Sequence, residues 1–106
     1  AAGVDVDRVA GLMGTRLGIQ AFPIQLTVTE PVAPLVGHLL YSAEERLTLK
    51  QTRAGTFLIG GGWPARVDAQ GRPQVRAESL GRNLAVALRV VPAIADALVV
   101  RSWASA

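Results

Sequence analysis

The sequence predicts an α+β fold, an antiparallel β-sheet with two main helices, and three observations predict it. Apolar residues recur at helical spacing near both ends, over Val6–Leu17 and Leu80–Val91. Between them, Ile24–Thr29 and Arg46–Thr52 alternate apolar and polar residues with a period of two. The strands are joined by connections of hairpin length, which suit antiparallel neighbours rather than the long crossovers of a parallel sheet. At 106 residues the chain is one domain by length, with a modest core.

The first helix is marked by Val6, Val9, Ala10, Met13 and Leu17, with Asp5 placed to cap its start and Gly18 to close its end. Gly11 and Gly14 weaken it. In "FPIQLTVTEP", Ile24, Leu26 and Val28 alternate with Gln25, Thr27 and Thr29, so a strand is expected that buries the apolar set. Pro31 and Pro34 stop it in a rigid turn, and "VGHLLYS" reads as a short second strand.

A hairpin follows. In "RLTLKQT", Leu47 and Leu49 share one face and Arg46, Thr48, Lys50 and Thr52 the other; Arg53, Ala54 and Gly55 turn the chain, and "TFLIG" returns. "PARVDAQGRPQV" reads as an exposed loop or hairpin tip, with Gln70, Gly71 and Pro73 as its turn residues. The second helix is expected to be capped by Ser79, to bury Leu80, Leu84, Ala87, Leu88 and Val91, and to end at Pro92. The closing "ALVVRSWASA" reads as a buried strand.

Composition excludes several kinds of chemistry. With no cysteine there are no disulfides, thiolate nucleophiles or cysteine-based zinc sites. One histidine, His38, makes no cluster and is expected to be an ordinary loop or strand residue. The serines Ser42, Ser79, Ser102 and Ser105 lie in no GxSxG elbow. Glu44 and Glu45 are sequence neighbours, whose side chains diverge, so they read as a solvated turn. No metal site is expected. Eleven basic residues oppose eight acidic ones for a net charge of +3, scattered rather than gathered in a stripe, which argues against a nucleic-acid partner. Arg89, Pro92 and Asp96 interrupt the best apolar stretch, so no membrane span is expected, and the N-terminus lacks the layout of a signal peptide. Half of the residues are hydrophobic and mean hydropathy is positive, an apolar balance for so short a chain. Some apolar surface is therefore expected to face a partner.

The segment "TRAGTFLIGGGWPARVD" poses its own question, since Gly60, Gly61 and Gly62 surrender backbone stiffness just before Trp63. Glycine belongs where φ is positive or another group comes close. Two readings stand: a wide turn with Trp63 folded onto the core, or a ligand passing over the glycines with Trp63 as a wall. A phosphate loop is excluded, because Trp63 and Pro64 follow where Gly-Lys-Ser/Thr would be needed.

Five motifs in order, the opening "AAG" and then "PIQLTVTEP", "LTLKQTRAGTFLIGGGW", "ESLGRNLAVALRVVPAI" and "VRSWAS", resemble the FAD-dependent oxidoreductases of the D-amino-acid oxidase, glycine oxidase and sarcosine oxidase superfamily. The resemblance runs nearly end to end and looks closest to amine, opine and proline dehydrogenase β subunits and hydrogen cyanide synthase subunits. It implies a segment of the substrate-binding domain of a two-domain flavoenzyme, residues 1–106 forming a single unit outside the Rossmann part. FAD would be bound by the full-length parent and not by this segment alone.

Residue by residue, the resemblance implies cofactor contacts at Ala2 and Gly3, which match the "AAG", and at Gly61 and Gly62. Thr48 falls where glycine-oxidase-like members place an active-site tyrosine on the strand facing the flavin, and Lys50 shares its face; with Trp63 these are the implied substrate-binding residues. Trp103 and Ala104 match the start of the family's "WAGLRP", but the chain departs from it at Ser105 and Ala106, so no carboxylate-gripping arginine is assigned from the motif. The implied reaction oxidises the C–N bond of an amino acid or secondary amine by hydride transfer to flavin. The implied partners are that small-molecule amine, the remaining FAD-binding domain, and other subunits of a homo- or hetero-oligomer, in the cytoplasm or peripherally at a membrane. The alternative is a non-catalytic module that docks a partner chain through its sheet, using the apolar surface.

Overall fold

The computed structural model describes residues 5–15, 17–18 and 22–105, with Val6 described by its backbone alone. The chain runs through α1 (Val6–Leu12), β1 (Ile24–Thr29), β2 (Leu40–Ser42), β3 (Leu47–Gln51), β4 (Phe57–Gly60), β5 (Arg66–Val67), β6 (Pro73–Gln74), α2 (Ala77–Val90), a 3₁₀ turn (Pro92–Asp96) and β7 (Val99–Ser105). Five strands form an antiparallel sheet in the order β2-β3-β4-β1-β7, and β5 and β6 form a separate small hairpin. The α+β expectation holds.

The β3–β4 hairpin forms where the alternation predicted it, with Thr48 opposite Gly60 and Lys50 opposite Leu58. Leu47, Leu49, Phe57 and Ile59 are fully buried and pack against Ala87 of α2 and Ile94 of the 3₁₀ turn. Each such side chain contributes about 1.5–3 kcal/mol through removal from water. One face of the sheet is thus covered by helix. The other has no element over it among the described residues.

Helix α2 begins at Ala77, so Ser79 is not its cap; Arg76 holds the N-cap position without a capping side chain. The buried stripe is Ser79, Asn83 and Ala87, spaced by four, so of the expected stripe of Leu80, Leu84, Ala87, Leu88 and Val91 only Ala87 is fully buried. Small or hydrogen-bonding residues are needed there because the helix lies close on the sheet: the Ser79 hydroxyl donates to the Pro64 carbonyl at 2.7 Å, and Asn83 Nδ2 donates to the Gly60 carbonyl at 3.0 Å. Leu84 and Val91 flank this contact and are half-buried, while Leu88 is exposed. Pro92 ends the helix as expected and opens the 3₁₀ turn, which the sequence reading lacked.

Strand β1 reverses its expected orientation. Gln25, Thr27 and Thr29 are the buried residues, Leu26 and Val28 are half-buried on the opposite face, and Ile24 is exposed. The polar set is tolerated inside because each member is satisfied. Gln25 exchanges hydrogen bonds with the Arg76 backbone, accepting at 2.8 Å and donating at 3.1 Å. Thr27 and Ser102 share a hydroxyl bond of 2.8 Å. The Thr29 hydroxyl accepts from the Phe57 N–H at 3.0 Å and donates to the Glu30 carbonyl at 3.0 Å. Paired in this way, buried polar groups avoid their desolvation penalty.

Three further expectations are corrected. Strand β7 lies at an edge of the sheet, and Leu98, Val99 and Val100 beside and within it are exposed. Helix α1 stops at Leu12, well short of Gly18: Gly14 takes φ +81° and the Thr15 N–H donates back to the Ala10 carbonyl at 2.9 Å, closing the last turn, after which Asp7 Oδ1 accepts the backbone N–H groups of Leu17 and Gly18; Asp5 holds the N-cap position without a side-chain cap bond and lies 3.6 Å from Arg8 Nε. Val9, Met13 and Leu17 of its apolar stripe are exposed. No helix among the described residues is long and apolar enough to cross a membrane.

The proline-bearing segment before β2 has no regular structure, yet its path is set by one amide. Gln51 Oε1 accepts the N–H groups of Leu35 and Val36 at 2.7 and 3.0 Å, and Gln51 Nε2 donates to the carbonyls of Ala33 and Gly55 at 3.0 and 3.1 Å.

Candidate functional site

The uncovered face of the sheet gathers most of the chemistry the sequence offers. Strand pairing aligns Tyr41, Thr48, Gly60, Leu26 and Trp103 in one row across all five strands. The next row holds Lys50, Leu58, Val28 and Arg101. With strands about 4.8 Å apart, the first row spans about 19 Å and the second about 14 Å. Its floor is apolar (Leu26, Val28, Leu58), and its ends carry a phenol, a hydroxyl, two cations and an indole.

Gly60 lowers the middle of that floor. A Cβ on it would lie 2.4 Å from Leu26 Cδ2 and 3.2 Å from Thr48 Oγ1, so the leucine lies across space that a side chain would fill. Gly61 adopts φ +139°, and a Cβ there would stand 2.0 Å from the Arg46 carbonyl oxygen. The close approach that these two glycines permit is by the chain itself. Gly62, at φ +76°, has nothing within 4 Å of its Cβ position.

Trp63 is held by the same turn. Its Nε1 donates to the Arg46 carbonyl at 2.7 Å, the Arg46 guanidinium lies 4.9 Å from its ring centroid, and Arg46 Nη2 donates to the Gly62 carbonyl at 2.6 Å. Arg46 has φ +57°, sparsely populated for a residue with a side chain, and these contacts fix it there. Trp63 is therefore a half-buried, oriented indole beyond the end of β4 rather than a member of the cross-strand rows.

Of the residues singled out from sequence, Thr48 and Lys50 stand together on the open face, Trp63 lies past the strand end, and Gly61 and Gly62 link the two regions. Ala2, Gly3 and Ala106 lie outside the described residues. Tyr41, Arg101 and Trp103 share the open face but were not assigned to it. Alternation along "VVRSWAS" would have placed Arg101 beside Trp103, and the guanidinium does lie 5.6 Å from that ring centroid.

The Arg72 N–H above all, then the Gln70 N–H, the Gln74 amide and the Arg66 charge hold the Asp68 carboxyl below its usual range, against a desolvation that raises it. Glu45 pairs with Arg89 at 2.8 Å, tying the β2–β3 turn to the end of α2. Two cavities lie elsewhere: one of about 430 Å³ between residues 32–37 and the β3–β4 turn, and one of about 110 Å³ between α2, the 3₁₀ turn and β7. Among the described residues no group of three or more His, Cys, Asp or Glu could hold a metal ion.

The sheet is packed by helix α2 and the 3₁₀ turn on one face and is bare on the other among the described residues. Among solved structures, this one is similar to L-proline dehydrogenase from P. horikoshii, with a TM-score of 0.84 and 20% sequence identity. The likeness covers 99% of this chain and 29% of that one, so this chain spans less than a third of its neighbour's length. No family model and no curated protein matches the sequence. At this identity the match establishes the fold.

Proposed function

We propose that this chain is the substrate-domain segment of a FAD-dependent oxidoreductase that oxidises the C–N bond of an amino acid or secondary amine. The observation that carries the reading is the reversed strand β1: it turns Leu26 and Val28 away from the helix-covered core and toward a face bordered by Thr48, Lys50, Arg101 and Trp103. An apolar floor with polar ends suits a flat, partly polar ring system and a small charged substrate. The fold likeness to L-proline dehydrogenase and the order of the sequence motifs support the same reading.

The open face fits the isoalloxazine of FAD in chemistry, being apolar at Leu26, Val28 and Leu58, with free space above Gly62. Bound flavin would supply the hydride acceptor, and water would hydrolyse the imine product. Thr48 and Lys50 would orient the substrate, and Trp63, held rigid by Arg46, would wall the pocket. Ala2, Gly3, Gly61 and Gly62 would lie along the cofactor. The remainder of the parent protein would bring the FAD-binding domain, within a cytoplasmic homo- or hetero-oligomer.

The test uses the full-length protein. Its visible spectrum should show flavin bands that bleach anaerobically with one class of amino or imino acid. A protein that stays colourless after FAD is supplied would reduce the likeness to fold alone and move the partner-docking alternative to first place.

A further inference from the structure

The reading above leaves open what Trp63 presents to a ligand. Its indole N–H is spent on the Arg46 carbonyl at 2.7 Å, and the Arg46 guanidinium lies over one face of the ring, 4.9 Å from the centroid. Arg46 is locked there in turn: its Nη2 donates to the Gly62 carbonyl at 2.6 Å, and its carbonyl oxygen fills the space where a side chain at Gly61 would stand. What is left for a ligand is the second face of a half-buried ring whose one donor is already used. A bare indole face attracts a cation, because the ring quadrupole is negative there. This ring already serves one. A second positive charge stacked on the free face would stand about 9–10 Å from the guanidinium and be repelled by it. The carboxylates around the turn offset little of that repulsion. Glu45 is paired with Arg89 at 2.8 Å, and Glu44 stands exposed to water. Neither cross-strand row of the open face holds an acid, and the second row adds the charges of Lys50 and Arg101.

We propose that Arg46 is a positioning residue that makes Trp63 a selectivity wall, admitting amines whose remaining substituent is uncharged and turning away those that carry a second positive charge. This rests on the reading that Trp63 lines the substrate pocket, and it narrows the substrate class by charge. The selecting group is a cation held behind an aromatic ring, so a ligand touches an apolar surface and feels a charge through it.

The experiment is calorimetric titration of the full-length protein with two matched pairs, L-norleucine against L-lysine and hexylamine against hexamethylenediamine, in wild type, Arg46→Met, Arg46→Asn and, as a control in the β3–β4 turn, Arg53→Met. Wild type and Arg53→Met should prefer the member with one ammonium, in at least one pair, by about 5- to 20-fold, the range that repulsion at that separation gives at intermediate dielectric. Arg46→Met should bring the ratio within about 2-fold by tightening the member with two, since the ring face is then free to attract it. A pocket that had merely loosened would instead weaken both members together and leave their ratio alone. Arg46→Asn removes the same charge in a residue type that accepts a positive φ, and serves if the methionine variant does not fold. An unchanged ratio in the Arg46 variants overturns the proposal, as does a wild type that binds no member of either pair or binds the doubly charged members as tightly. The two readings fail separately. A flavin that bleaches with an amine while the Arg46 variants keep the wild-type ratio sinks the Arg46 assignment alone, whereas a colourless protein whose charge selectivity depends on Arg46 sinks the flavoenzyme reading alone.

Discussion

The two faces of the sheet are built from the same strands and obey opposite rules. On the covered face Leu47, Leu49, Phe57 and Ile59 interlock with Ala87 and Ile94, and every polar neighbour there, from Gln25 to Asn83, has a hydrogen-bond partner. On the open face Leu26, Val28 and Leu58 are only half-buried, and Lys50 and Arg101 point outward without a countercharge among the described residues. The covered face is complete as it stands, while the open one has the make-up of a surface awaiting contact. Stability and binding should therefore separate by face.

The sharpest way to break that comparison is at Phe57, which is fully buried. Phe57→Ala should cost about 3–5 kcal/mol in urea denaturation followed by circular dichroism. If the loss were under about 1 kcal/mol, the covered face would not be the core. Gly61→Ala comes next, since a methyl group would meet the Arg46 carbonyl at a positive φ. It should cost about 1–3 kcal/mol by the same measurement and free Trp63, seen as a shift in its fluorescence. Asn83→Ala leaves the buried Gly60 carbonyl unpaired and should cost about 1–3 kcal/mol, with raised amide exchange in α2.

Open-face changes should behave differently. Leu58→Thr is expected to alter stability by no more than about 0.5 kcal/mol, yet to weaken ligand binding in the full-length protein. A large stability loss there would mean that the two faces are not distinct. The smallest effect belongs to Asp68. Because its carboxyl titrates below the usual range, its contribution is present above the unfolded-state pKa and is lost as pH falls through the lowered folded value. Asp68→Asn should therefore loosen the Gln70 and Arg72 amides at neutral pH, measured by hydrogen exchange, and lose that difference from wild type in strong acid.

These faces were unevenly legible. The β3–β4 hairpin was readable because Leu47 and Leu49 alternate strictly with Thr48 and Lys50, and a period of two leaves only one way to place them. Strand β1 has an equally clean alternation and was oriented the wrong way, since hydrophobicity alone cannot tell that Gln25, Thr27 and Thr29 find partners in Arg76, Ser102 and Phe57, up to 75 residues away. Other bonds, to the Pro64 and Gly60 carbonyls, bring Ser79 and Asn83 into the buried stripe of α2 beside the expected Ala87. Thr48 and Lys50 were found through periodicity plus motif resemblance. Arg101 and Tyr41 were missed because their significance arises from cross-strand register, which no local pattern in the sequence prints.

The Gln51 side chain carries a last consequence. It grips residues 33–36 only through their backbone amides and carbonyls, which every sequence supplies, prolines aside from the donor. The exposed side chains of Ala33, Pro34 and Leu35 are thereby released from specifying its course and can drift among descendants of this protein, while Val36, packed on the core, and position 51 tolerate little. Variation should accumulate at Leu35 and its neighbours, and a lineage that lost the glutamine would be expected to rebuild the whole approach to β2.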